Sequence, residues 1–272
     1  MTRFSEILLG TLLLAGLSAC SVKEDREPCP CYLDVDYSRV LETRPMEDVP
    51  GRVEVAVKVG GHALLETHKL QDCPRVSESV VDRLTAHVIG IVHGNLLRDF
   101  LRQGDVLTWK AGNQIDSVFV YSQEIDCSGE EAYCLIEPHK QFHTIFFTDE
   151  TGGTALRQYN MVVTGSTCGF RADNFEAVEG EYLYTVQEYD RDGGISVRVP
   201  RQKNDDLRLE LWTKDDFRKV FTAPIGQYMK AAGYDKTATD LVDFRIDIHF
   251  RDALVYVRVA DWDEEQVFAL YK

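Results

Sequence analysis

Basic residues are scarce in this chain of 272: 30 Lys and Arg stand against 45 Asp and Glu, a formal net charge of −15. Nucleic acid and anionic lipid surfaces are met through a basic footprint, so neither is an expected partner. The compact signatures of catalysis are also missing. There is no Gly-x-Ser-x-Gly elbow, Walker loop, His-Glu-x-x-His pair or EF-hand loop. No βαβ rhythm argues for a doubly wound sheet, and no fixed-period repeat argues for a solenoid or propeller. What the chain does have is apolar content of 44%, enough for a real core and too much for a disordered tether.

The N-terminus is the most informative stretch. Arg3 opens a short n-region, weakened by Glu6, and residues 7–16 are almost wholly apolar. That run is too short for a permanent bilayer span and fits a secretory signal. It ends Leu17-Ser18-Ala19-Cys20, which resembles a bacterial lipobox. The resemblance implies that residues 1–19 are a lipoprotein signal peptide and that Cys20 is the diacylated new N-terminus. Two or more acyl chains hold a protein stably to a membrane where one would be marginal. Cleavage removes one Arg and one Glu, so the net charge stays −15. Residues 20–30 are charged and proline-bearing and read as a lipid-anchored tether. An acidic stretch behind a lipidated Cys also resembles the sorting signal that sends lipoproteins to the outer face of the cell.

Beyond Cys20 the cysteines are Cys29, Cys31, Cys73, Cys127, Cys134 and Cys168. An even number in an exported chain permits disulfides, but the sequence does not choose among pairings. Cys127 and Cys134 flank a Ser-Gly-Glu-Glu segment and could staple a hairpin. Cys29-Pro30-Cys31 is too tight for a zinc knuckle. His139 and His143 lie four apart, a metal spacing on a helix, but their surroundings read as a strand, where such residues stand about 13 Å apart. No metal site and no cofactor are expected. The remaining histidines, His62, His68, His87, His93 and His249, read as surface or core-edge residues.

From Cys31 onward the pattern has period two: Leu33, Val35 and Tyr37 alternate with Asp34 and Asp36, and Val53, Val55, Val57 and Val59 repeat the motif up to a Gly60-Gly61 turn. Residues 80–92 fit either period, and their β-branched content favours a strand. Residues 95–103 read as a short amphipathic helix, and Thr213 with Asp216 resembles a capping box leading into another. Pro224 would interrupt that helix or start a second over 225–232. Further strands are expected near 115–122, 132–136, 142–148, 160–164, 182–189, 195–199, 207–212, 241–250, 254–262 and 266–271. Residues 149–154 are polar and glycine-rich and make the best domain boundary. The expectation is an all-β protein with a few short helices: two β-sandwiches in tandem, over 31–150 and 155–272.

The segment from Cys20 through Pro28-Cys29-Pro30-Cys31 to Tyr37 is similar to the start of the fimbrillin-associated anchor subunits of Bacteroidales fimbriae. Residues 112–121 and 139–142 resemble two interior strands of that family. The resemblance implies two transthyretin-like sandwiches and a lipoprotein at the base of a type V fimbria, held in the outer membrane, facing the exterior. The partners it implies are a fimbrial shaft subunit and, through the N-terminal lipid, the membrane. In that system a C-terminal strand of one subunit fills the groove of the next, which is β-augmentation. Cutting after Arg39 or Arg44 would sever the lipid, so the N-terminal strand should stay uncut. The candidate donor lies in residues 254–262 and 266–271, marked by Val255, Val257, Val259 and Trp262. The alternative is that these are the last strands of the second domain, packed at home, since core and donor strands carry the same alternation. Two rivals stand beside this non-enzymatic role. One is a glycan-binding outer-membrane lipoprotein using Trp109, Trp212 or Trp262. The other is a lipoprotein hydrolase needing two converging carboxylates.

Overall fold

A computed structural model describes residues 29–42, 51–94, 104–149, 151–152, 154–187, 194–249, 254–259 and 266–269. Strands predominate among the described residues, with only short helices beside them. Strand β1 (Cys31–Asp36) buries Cys31, Leu33 and Val35 and exposes Tyr32 and Asp34, the alternation its sequence calls for. Helix α1 (Ser38–Glu42) follows and buries Val40. Strands β2 (Arg52–Val59) and β3 (His62–Lys69) turn through Gly60 and Gly61, both with positive φ (55° and 84°), which glycine adopts without steric cost. Strands β4 (Val76–Val81), β5 (Thr85–His93), β6 (Val106–Thr108), β7 (Val118–Asp126), β8 (Glu131–Leu135) and β9 (His139–Lys140) come next. Sheet A has the order β4-β1-β8 and sheet B the order β3-β2-β5-β7-β9. Together they enclose a core that includes Leu33, Val35, Tyr37, Val55, Val57 and Val88.

The second half contains β10 (Phe142–Asp149), β11 (Tyr159–Arg171), β12 (Ala177–Thr185), β13 (Ile195–Pro200), β14 (Arg208–Thr213) and β15 (Lys219–Ala223). Helix α2 (Ile225–Ala231) and strands β16 (Phe244–His249), β17 (Leu254–Val259) and β18 (Gln266–Ala269) complete it. Sheet C runs β12-β11-β14-β15, with β6 also paired to β11, and sheet D runs β13-β10-β16-β17-β18. Pairing passes to the second pair of sheets ahead of residue 150. Strand β10, inside the expected first domain, pairs with β13 and β16. The polar loop chosen as a boundary instead joins β10 to β11, linking the two sheets of the second sandwich.

The inner strands β2 and β5 of sheet B are buried on both faces. Val55, Val57 and Val88 point into the first core, while Ala56, Ile89, Ile91 and Val120 join a second core with Leu107, Phe147, Val163 and Phe170. That double burial explains the continuous apolar run over 88–92 in β5, since a strand covered on both sides carries no alternation. The helical spacing across 80–92 arose because Val80 and Val81 belong to a different strand, β4 of sheet A. Polar contacts reinforce the junction. Lys58 pairs with Asp105, and the Ser122 hydroxyl donates to the Asp173 carbonyl at 2.6 Å.

One local expectation changes. Thr213 and Asp216 do hydrogen-bond, but they close the turn between β14 and β15 rather than cap a helix. The Arg218 N–H donates to Thr213 Oγ1 at 2.9 Å, and Phe217 takes a positive φ of 49°, which ends any helical path. Helix α2 starts after Pro224, as the sequence suggests. The helix expected over 95–103 lies outside the described residues. Among the described residues, no helix is long and apolar enough to cross a membrane.

Candidate functional site

The two ends of the chain carry the sequence-derived candidates. Strand β1 is the middle strand of sheet A, antiparallel to β4 (Leu33 opposite Ser79) and parallel to β8 (Leu33 opposite Ala132). Its far end is locked by polar contacts. The Tyr37 hydroxyl donates to Glu66 on β3 at 3.1 Å, and Ser77 donates to the same carboxylate at 2.8 Å. Burial pushes the Tyr37 phenol well above its ordinary pKa, so the hydroxyl stays a donor. Burial also works to raise Glu66, but hydrogen bonds from Ser77, His68 and Tyr37 outweigh it and keep the carboxylate ionised. Tyr133 on β8 donates to Asp36 at 2.6 Å and lowers its pKa. Arg39 follows inside α1, paired with Glu42 at 2.7 Å, so it is not offered as an extended segment. Cys20 and Arg44 lie outside the described residues.

At the other end, β17 pairs with β16, with Val255, Val257 and Val259 opposite Ile248, Ile246 and Phe244. Strand β18 pairs with β17 and is the outermost strand of sheet D. Among the described residues, the candidate donor strand is thus housed within its own chain, as the two border strands of sheet D. Trp262 lies outside the described residues.

Cys127 and Cys134 are both buried, and all six cysteines among the described residues, Cys31 included, are free thiols in this structure. The Cys134 thiol lies 3.3 Å from the Tyr121 hydroxyl. The Cys127 thiol faces that of Cys31; burial and this neighbour push it up to about 11. Sequence reasoning did not single out Cys31 as a partner, because it is remote in the chain and meets Cys127 only through sheet packing.

His93, expected at the surface or core edge, is instead fully buried where the two sandwiches meet. Its Nε2 is 2.9 Å from Glu54 Oε1, and its Nδ1 is 3.7 Å from Asp116 Oδ2. Asp116 in turn lies 3.9 Å from the Arg198 guanidinium on β13. Burial pulls the His93 pKa down, but Asp116 and Glu54 outweigh that and hold it at about 9. Gly94 permits this approach: a Cβ there would stand 2.3 Å from Asp116 Oδ1. A protonated histidine between two buried carboxylates ties β5, β2 and the second sandwich together. It is enclosed, so no substrate reaches it.

The other rival sites fare as follows. His139 bonds Asp240 at 3.0 Å, while His143 is buried against Tyr234 and its pKa falls to about 3 through desolvation. The two therefore serve separate environments, and among the described residues no cluster of His, Cys, Asp and Glu is arranged for a metal. Trp109 is buried, and Trp212 is covered by Lys219 and donates to Glu210 at 3.0 Å. Neither forms a sugar platform. An open groove of about 460 Å³ is lined by Gly165, Ser166, Glu179, Gly180, Glu181 and Asn204. Lys203 holds Glu179 at 2.7 Å and lowers its pKa, the reverse of what a general acid needs.

No family model matches the chain, and no curated protein is similar to it in sequence. Solved structures do match over nearly its whole length. A DUF1812 protein of Bacteroides thetaiotaomicron, described as a candidate polysaccharide-binding protein, aligns with a TM-score of 0.61 at 12% identity, covering 89% of this chain and 99% of that one. A candidate adhesin from Bacteroides ovatus gives 0.59 at 9% identity, over 88% and 96%. The fimbrial anchor protein Mfa2 of Porphyromonas gingivalis gives 0.51 at 10% identity, over 89% and 100%. The chain therefore shares the fold of Bacteroidales fimbrial and adhesin proteins.

Proposed function

We propose that this protein is an outer-membrane surface lipoprotein that anchors a fimbria to the cell and terminates its assembly. The observation that carries the reading is the end-to-end match to a fold that includes a fimbrial anchor, in a chain that opens with a lipobox-like segment. Cys20 carries the lipid, a short tether follows, and β1 takes the load as the uncut middle strand of sheet A. The partner is a fimbrial shaft subunit, engaged by strand exchange through Val255, Val257, Val259 and Trp262. Strands at the border of a sheet can leave without opening the sheet interior, which supports their assignment as the exchangeable pair.

The test is Cys20→Ala in the producing cells. Fimbriae should then be shed into the medium or lose their length control; fimbriae that stay cell-attached at normal length overturn the anchor reading.

A second reading, glycan binding, is favoured by one feature. The outer face of sheet A exposes Tyr32, Val80 and Tyr133 around Asp34, with Tyr32 opposite Val80 and Asp34 opposite Tyr133. Aromatic rings beside a carboxylate suit stacking and hydroxyl recognition of a sugar. Pull-down on immobilised polysaccharide with wild type and a Tyr32→Ala, Tyr133→Ala double variant separates the two readings.

A further inference from the structure

We infer that Cys31 and Cys127 form a disulfide that fastens the first strand to the body of the first sandwich. Four observations converge on the pair. Both side chains are fully buried and belong to the same core cluster. Cys31 occupies an inward position of β1, opposite Val81 at the end of β4. Cys127 follows directly on β7, and its N–H donates to the Leu84 carbonyl at 3.3 Å. Residues 82–84, which join sheet A to sheet B, thus bring the two cysteines to the same end of the sandwich. Finally, each thiol is the other's neighbour, whereas Cys134 is occupied by Tyr121 and Cys29 is exposed.

The chemistry is thiol–disulfide exchange with an external disulfide donor, such as oxidised glutathione or a dithiol oxidase of the exterior. One cysteine thiolate attacks the donor and forms a mixed disulfide. That first attack breaks the donor's S–S bond and releases one donor sulfur. The second cysteine then attacks the mixed disulfide, so the Cys31–Cys127 S–S bond forms as the bond to the remaining donor sulfur breaks, and the donor leaves fully reduced. Each of the two cysteines loses one proton and one electron, and the donor takes up the two protons and two electrons. Burial keeps thiolate at Cys127 rare in the finished fold, so the bond forms during folding and then resists reduction.

The consequence deepens the anchoring role, and in the cell it rests on the exterior location proposed above. Force arriving through the Cys20 tether reaches Cys31 first. With the bond in place it passes into β7, in the interior of sheet B, and β1 cannot be unzipped from between β4 and β8.

The experiment uses the full chain, denatured, reduced and refolded in a mixture of oxidised and reduced glutathione. It is then alkylated, digested without reductant and mapped by mass spectrometry. The expected product is a single Cys31–Cys127 linked peptide pair, lighter by two hydrogen atoms than the separate peptides, with Cys134 alkylated only after denaturation. Cys134→Ser should keep the link. A Cys127–Cys134 link, or no link in a correctly folded product, overturns the inference. The same map on protein taken from cells gives an independent reading: both thiols reduced there overturns the bond, while fimbriae still attached to those cells leave the anchoring role intact.

Discussion

The first and last strands of this chain have opposite stations. Strand β1 is hydrogen-bonded on both sides, buries Leu33 and Val35, and is tied by Tyr37 and Asp36 to β3, β4 and β8. Among the described residues, strand β18 is bonded on one side only, and β17 is next to it at the sheet border. Removing a middle strand leaves two rows of unpaired backbone groups and an emptied core, whereas removing border strands from one side exposes a single row. A protein whose N-terminus bears load and whose C-terminus exchanges strands would be built with this asymmetry.

The sharpest way to break that comparison is to delete each end in turn. Loss of residues 31–36 removes several core side chains, each contributing roughly 2 kcal/mol of burial. Together with the lost backbone pairing, this consumes much of a typical stability of about 5–15 kcal/mol. The first sandwich should fail to fold, seen as loss of its cooperative thermal transition. Truncation before Leu254 should leave that transition in place and abolish capture of the shaft subunit. Equal damage from both deletions would refute the asymmetry.

Point substitution asks the same question more gently. Leu33→Ala, in a fully buried position on β1, should cost about 3 kcal/mol, read as a lowered denaturant midpoint at unchanged m-value. A cost below about 1 kcal/mol would mean that β1 is not held as the structure holds it.

A smaller effect reports on the seam between the sandwiches. The pKa of His93 is about 9 in the folded chain against an ordinary 6.5, so the folded state favours the protonated ring. Its contribution to stability is therefore complete below pH 6.5, declines as pH rises, and is gone above pH 9. Denaturation midpoints across that window should fall for the wild type more steeply than for His93→Gln. Parallel profiles would show that His93 is not the titrating group. Gly94→Ala, which drives a Cβ against Asp116, should weaken the same seam at all pH values.

Much of the fold was legible because a half-buried strand writes its alternation into the sequence. Residues 31–37 and 53–59 show it, and so do most strands of the second sandwich. What escaped has identifiable causes. Strand β3 exposes most of its residues, Leu64 and Leu65 included, so no alternation marks it. The Thr213–Asp216 bond serves a turn as well as a helix cap, and local chemistry cannot tell them apart. His93 resembled any isolated histidine until Glu54 and Asp116 came to it from other parts of the chain. Cys127 and Cys134 looked like partners because they are close in sequence, but their thiols have different neighbours.

By itself, the order of residues determined the strand-rich class, the acidic exterior, the lipobox-like start and the lack of catalytic motifs, since each depends only on composition or on neighbours a few positions apart. Which strand sits in the middle of a sheet and which at its border, which cysteine meets which, and how a histidine comes to lie between two carboxylates were decided only by tertiary structure. Those facts depend on contacts between segments far apart in the chain, and only packing brings such segments together.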